Sequence, residues 1–345
     1  MRYFDFSLIA FIFFLFVLFF ASCTKQNVEV QTKTIIKLIS TNAIIESSVY
    51  TNKKGVILKK GVCWNISGNP LISDLFSDDG SAEGAFKSNL NDLIPNTVYY
   101  IKAYAETDKG IVYGNEINLL TPILSSIGGV VTDIDGNNYE TLIFGNGQVW
   151  MKSNLKTERY SDGSIIPNII TNDEWTSDNL DYGGWCYYNN NITNNLIYGK
   201  LYNGYAVVDN RGLCPTGWRI PSDEDWHKLE LFLGVDEKEL DLFGYRGDDY
   251  NVGGKMKNLE NWHFSNEGAT NETNFSGQPG GQRSYYNGEF SGLNVNGMWW
   301  SSSELNSDFL IVRNLFTYRK GILRISEVNQ IGNKKRGSSI RCLKE

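Results

Sequence analysis

Two domains are predicted, an all-β sandwich followed by a mixed α+β domain, and three observations carry that prediction. The stretch TVYYIKAYAE (Thr97–Glu106) alternates strictly, with Val98, Tyr100, Lys102 and Tyr104 opposing Tyr99, Ile101, Ala103 and Ala105. Period two is the signature of a half-buried strand. Short strand candidates of this kind fill the first part of the chain, separated by Gly, Asn, Asp and Pro clusters. Further on, GLCPTGWRIPSDEDWHKLE (Gly212–Glu230) places a turn, a short strand and a capped helix start within nineteen residues. A chain of 345 residues has room for both units.

The N-terminus comes first. Leu8 to Ala21 is an unbroken apolar run behind Arg2, with Asp5 also in the leading segment. As a helix it would rise about 21 Å, short of the roughly 30 Å hydrocarbon core, so it reads as a secretory leader rather than a span. Ala21 and Ser22 directly before Cys23 resemble a bacterial lipoprotein cleavage site. The resemblance implies that residues 1–22 are removed and that Cys23 is acylated, which would tie the protein to a membrane, taken here as the outer membrane of a bacterial envelope. Residues 23–33 read as a polar tether. The net charge of −7, with no basic stripe, argues against nucleic acid as a partner.

The sandwich is placed at residues 28–122. KTIIKLI, GVILKKGVCW and GIVYGNEINLL supply further strands. Leu93-Ile94-Pro95-Asn96-Thr97-Val98-Tyr99 resembles the tyrosine corner of fibronectin type III domains, which implies that the Tyr99 hydroxyl bonds back to the backbone. Cys63 beside Trp64 reads as a small buried hydrophobe. Nothing in this unit offers chemistry, and a spacer role is expected.

The second domain is placed at residues 126–345. VTDIDGNNYETLIFGNGQVWMKSNLKT reads as two hairpins. Asp133-Ile134-Asp135-Gly136-Asn137 has the beginning of a calcium loop, but the twelfth position is Phe144, so a turn with Gly136 at positive φ is the better reading. Ser222 can cap a helix, with Asp223, Glu224 and Asp225 in its first turn, Trp226, Leu229, Phe232 and Leu233 on one face and Gly234 as the stop. Pro221 keeps Ile220 extended, Trp218 packs beneath the corner, and Arg219 pairs with a nearby carboxylate. These residues are assigned structural work. His227 is expected to face solvent beside the apolar stripe.

Taken together, GNGQVWMKSNLKT, GWCYYNNN, GKLYNGYAV, LCPTGWRIPSDEDWHKL, GGKMKN, NETNFSGQPGGQR, MWWSSSE and SSIRCLKE resemble the Fibrobacter succinogenes major paralogous domain family. Gln278 to Arg283 stands where that family has a Leu-Pro-Gly-Gly-Tyr-Arg-like segment, and Ser338 to Cys342 where it has Phe-Ser-Val-Arg-Cys. The family brings no established activity. Its similarity to C-type lectin-like folds implies an α+β domain with long loops. Four cysteines follow Cys23, namely Cys63, Cys186, Cys214 and Cys342. The lectin-like resemblance implies a Cys214–Cys342 disulfide, with Cys186 a competitor for either partner.

Other chemistries find little support in the residues. GWRIPSDEDW also resembles a piece of formylglycine-generating enzymes, but the paired thiolates their copper needs are not matched, since only Cys342 lies near the C-terminus. His227 and His263 have no metal-ligand spacing, so no metal or cofactor is assigned. Asp248 and Asp249 in GYRGDDYN read as a solvated loop rather than a glycosidase pair. Arg246-Gly247-Asp248 is too short a match to an integrin motif to carry weight. Trp299-Trp300 reads as core. The lectin calcium motifs Glu-Pro-Asn and Trp-Asn-Asp do not occur.

A binding surface is then the favoured function. Trp262, Arg283, Tyr285 and Tyr286 lie in Gly/Asn-rich segments and are taken as candidates for stacking on and hydrogen-bonding a glycan or a surface protein. The expectation is a non-catalytic display domain at the bacterial surface or facing the periplasm. The alternatives are a structural or assembly role and, behind it, an enzyme.

Overall fold

The computed structural model describes residues 27–39, 41–52, 57–263, 265–326 and 332–345, and across them the chain is mostly β-sheet with few helices. The leader and Cys23 lie outside the described residues.

The first unit contains β1 (Val28–Leu38), β2 (Ala43–Thr51), β3 (Ile57–Asn65), β4 (Leu75–Phe76), β5 (Gly84–Leu90), β6 (Val98–Thr107) and β7 (Gly110–Leu120). They form two sheets, ordered β1-β2-β5 and β4-β3-β6-β7. Tyr99, Ile101, Ala103 and Ala105 of β6 are all buried between the sheets with Ile45, Val49 and Val62, as the alternation requires. The Ile94 amide donates to the Tyr99 hydroxyl at 3.0 Å, closing the corner before β6. One boundary is corrected. Val28 to Lys33 belong to β1, not to a tether, because Val28 and Val30 pack against the core and Thr32 is stitched to Asn115 of β7. That stitch ties the two sheets along one side.

In the second unit, β8 (Ser125–Thr132), β9 (Asn138–Phe144) and β10 (Val149–Met151) form the two predicted hairpins. Asp133 accepts from the amides of Asp135 and Asn137 at 3.0 and 2.9 Å, and Gly136 has φ 82°, so this loop is a turn. Short helices α1 (Asn172–Thr176), α2 (Asn195–Tyr198) and α3 (Gly204–Val208) alternate with β11 (Trp185–Cys186) and β12 (Leu201–Tyr202). Then come β13 (Trp218–Arg219), α4 (Asp223–Leu233), β14 (Gly244–Arg246) and α5 (Val252–Met256). Five of the remaining strands follow in order: β15 (Gly280–Arg283), β16 (Phe290–Leu293), β17 (Asn296–Glu304), β18 (Leu310–Phe316) and β19 (Ile322–Ile325). The chain closes with β20 (Leu343–Lys344). Two large sheets result, β13-β20-β10-β9-β8 and β14-β19-β18-β17-β15-β16, and β11 pairs with β12 as a small third.

Helix α4 covers a core in which Trp150 meets Trp226 at 4.8 Å and Phe275 meets Trp299 at 5.9 Å. Trp299 and Trp300 are buried, and their indole N–H groups donate to Asn154 Oδ1 and the Tyr202 carbonyl, both at 2.8 Å. The expected exposure of His227 is corrected. It is buried, with Nε2 3.5 Å from Asp223 Oδ2, and burial lowers its pKa. The reason lies in what covers that side of α4. Arg313 and Arg246 both reach Glu230, Arg246 Nε at 2.8 Å, while Asp223 takes Arg313 and Arg324 at 2.6 Å each. A face that reads as polar in sequence is thus a buried ionic layer.

Candidate functional site

The Trp-Arg-Pro corner is assembled from the residues outward. Ser222 caps α4: its hydroxyl accepts from the Asp225 amide at 3.2 Å. The Asp225 carboxylate in return accepts from the Ser222 amide and hydroxyl at 2.8 and 2.7 Å, a capping box with Asp in the third position. Arg219 adds a two-armed grip, Nη2 donating to Asp225 Oδ1 at 2.9 Å and Nη1 to Oδ2. Burial would raise the Asp225 carboxyl, but Arg219 and Ser222 hold it below the usual carboxylate range. The Pro221 carbonyl accepts from Ser302 of β17 at 2.9 Å. Trp218 and Arg219 pair with Lys344 and Leu343 of β20. Beside them a disulfide joins Cys214 to Cys342, with the two Cα atoms 5.9 Å apart. Every polar contact of Asp225 and Ser222 is spent inside the frame, so this corner holds the helix to both sheets.

Of the four ligand candidates, Tyr286 is exposed, Tyr285 is half-buried, and the other two are buried. Tyr285 and Tyr286 stand at the tip of the β15–β16 hairpin, Tyr286 79% exposed, with ring centroids 6.4 Å apart. Arg283 is corrected: it is fully buried beneath them. Its guanidinium donates to the carbonyls of Ile169, Ile170, Thr171 and Gly288, the shortest at 2.5 Å, and lies 4.4 Å from the Trp175 ring. Five donors in a planar fork suit a nest of carbonyls, and this takes Arg283 out of the ligand set. It serves instead as the post that fixes the hairpin to the loop before α1. Trp262 is also corrected, since it is 9% exposed and donates to the Gly277 carbonyl at 3.0 Å.

Two free cysteines, Cys63 and Cys186, are buried, and burial pushes the Cys186 thiol up to about 12. Among the described residues no cluster of three or more His, Cys, Asp or Glu side chains could hold a metal ion. Sequence reasoning passed over Asp248 and Asp249 as a solvated loop. They border a cleft with Tyr318, Arg319 and Lys320, which are brought there from seventy residues away by the β18–β19 turn. No local pattern joins these segments, so only the fold could reveal them.

This arrangement defines a two-unit, mostly β protein whose second unit is a disulfide-closed scaffold carrying exposed aromatic loops. Residues 145–344, more than half of the chain, match the Fibrobacter succinogenes major domain, and the chain belongs to that family. No curated protein matches it. Among solved structures it is similar to the sensor domain of the anti-sigma factor RsgI4 of Pseudobacteroides cellulosolvens, at 18% identity and TM-score 0.24, covering 31% of this chain and 100% of that one. It is also similar to a human fibronectin type III domain (13% identity, TM-score 0.21, 27% and 84% covered) and to the chicken CNTN1 FN1-FN3 domains (19%, 0.20, 28% and 30%). Likenesses of that extent say nothing about activity.

Proposed function

We propose that this chain is a lipid-anchored protein of the bacterial outer membrane whose C-terminal domain, C-type lectin-like in plan, binds a glycan or a surface protein without transforming it. The first unit acts as the spacer that lifts this domain from the anchor at Cys23. One observation carries the reading: at the hairpin tip Tyr286 is exposed and Tyr285 half-buried beside it, while Arg283 and Trp175 beneath them are locked. Rigid, amphipathic rings on a fixed support lose little entropy when a ligand covers them. The corner at Arg219 and Asp225 supports the same view, because the Asp225 carboxylate is taken up by Arg219 and Ser222 inside the frame.

The test is a combined glycan and surface-protein array probed with the full chain. Saturable binding that disappears in the Tyr285→Ala, Tyr286→Ala double variant, with circular dichroism unchanged, is the expected result. An array without a ligand, together with a disturbed envelope in cells lacking the protein, would favour an assembly role instead. Labelling cells with an alkynyl fatty acid tests the anchor. Label on the wild type and none on Cys23→Ala is expected, and protease shaving of intact cells reads which face of the membrane displays the domain.

A further inference from the structure

The six-stranded sheet has two edges, and the Tyr285–Tyr286 hairpin occupies only one of them. Away from it, where the β18–β19 turn meets the loop after β14, Asp248, Asp249, Glu267, Tyr318, Arg319 and Lys320 border a cleft of about 780 Å³. A smaller hollow of about 150 Å³ shares Asp248 and Asp249 with it and adds Tyr245 and Tyr250.

The groove is built in advance. Asp248 Oδ1 accepts from the amides of Lys320 and Gly321 at 3.2 and 3.1 Å, pinning the β18–β19 turn to the loop after β14. Behind the walls lies the fully buried Lys257. Its ammonium donates to the Glu267 carbonyl on one side at 2.6 Å and to the Phe316 and Arg319 carbonyls on the other at 3.1 and 2.9 Å. One cation therefore spans the two walls. Asn251, at φ 52°, adds a bond to the Gly268 carbonyl at 2.8 Å. A Cβ on Gly253 would stand 2.0 Å from the Gly321 carbonyl, so the turn and α5 approach as closely as glycine allows.

The lining combines aromatic faces with charges of both signs. Tyr245, Tyr250 and Tyr318 are 41%, 39% and 51% exposed. Phe316 lies between two of them, 5.2 Å from Tyr318 and 6.0 Å from Tyr245, and the Arg319 guanidinium covers Tyr245 at 4.5 Å. Asp249 and Glu267 offer acceptors, and Lys320 offers donors.

We propose that this groove is a second binding site, for a neutral polysaccharide chain. Tyr318 presents a face on which a sugar ring stacks, Asp249 and Glu267 accept from sugar hydroxyls, and Lys320 donates to ring and hydroxyl oxygens. Anionic chains would meet Asp249 and Glu267, and cationic ones Arg319 and Lys320. A peptide would require apolar pockets for alternate side chains, whereas the cleft is walled by charged, amide and hydroxyl groups around Tyr318. The walls are already fixed, so the ligand need not order them.

Affinity electrophoresis of the full chain through gels containing laminarin, dextran or galactomannan reads this directly, with polygalacturonate and denatured casein as comparators. At least one neutral polysaccharide should retard the protein. Tyr318→Ala combined with Asp249→Ala should weaken that retardation about tenfold. Tyr318→Phe should preserve it, and the Tyr285→Ala, Tyr286→Ala variant should leave it unchanged. Both substituted side chains are exposed, so folding should survive, and circular dichroism checks it. The site is refuted if no neutral polysaccharide retards the chain, if only polygalacturonate or casein does, or if retardation by a neutral chain survives the Tyr318 and Asp249 substitutions.

Discussion

Arg313 and Glu230 form an ion pair from which water is excluded: both side chains are fully buried, the guanidinium Nε meeting Oε1 while Arg246 reaches Oε2 at 2.8 Å. Removing one partner of such a pair leaves a buried charge uncompensated, which costs about 3–5 kcal/mol. Glu230→Gln should therefore destabilise the second unit by that amount in urea unfolding. Lys228→Ala on the exposed side of the same helix, whose pair with Glu224 is open to solvent, should fall within about 0.5 kcal/mol of wild type.

Acid should act through the neighbouring carboxylate. Burial alone would raise the Asp223 carboxyl, but bonds from Arg324 and the charge of Arg313 hold it at about 2. The unfolded value is about 3.9. A carboxyl depressed on folding contributes stability that is complete above the unfolded value and is lost as pH falls through the folded one. Thermal midpoints should hold down to about pH 4 and then drop toward pH 2, and Asp223→Asn should lower the plateau and flatten that fall.

The disulfide is expected to matter more than the free thiols. Cys214 and Cys342 are 128 residues apart, and opening so long a loop costs about 2–5 kcal/mol. Reduction should lower the unfolding midpoint accordingly. Burial raises the Cys63 and Cys186 thiols to about 11 and about 12, so neither should alkylate in the native protein. Mass spectrometry after brief iodoacetamide treatment, with and without denaturant, measures this.

Arg283 should be a support and not a contact. Arg283→Met strands the carbonyls of Ile169, Ile170 and Thr171 and should cost more than about 2 kcal/mol. Hydrogen exchange should then rise in the segment before α1 and in the hairpin tip together. Exchange rising in only one of them would show that the guanidinium does not join them.

What the sequence disclosed and what it hid divide along physical lines. Helix α4 was legible because its signals are local: a capping Ser222, three acids in the first turn, an apolar stripe and Gly234. The strand at Val98–Thr107 was legible through its alternation and the tyrosine corner before it. The pairing of Cys214 with Cys342 came from resemblance, not from anything local. Hidden were the charged residues that the fold buries. Arg283 lies in a Gly/Gln segment that reads as surface, and three of its carbonyl acceptors are more than a hundred residues upstream. Lys257 gives no hint that three carbonyls from two other segments surround it. Ser222, Arg219 and Trp226 could be placed from spacing alone, whereas the groove at Asp248 and Tyr318 arises only when β18 and β19 turn beside β14.

The measurement closest to the central claim follows an array ligand through incubation with the full chain, recording equilibrium binding and the ligand's mass before and after. Saturable binding, ligand recovered unaltered, and loss of binding in the Tyr285→Ala, Tyr286→Ala protein are expected, while Arg219→Ala changes stability alone. Conversion of the ligand that stops when Arg219 or Asp225 is replaced in a folded protein would contradict it.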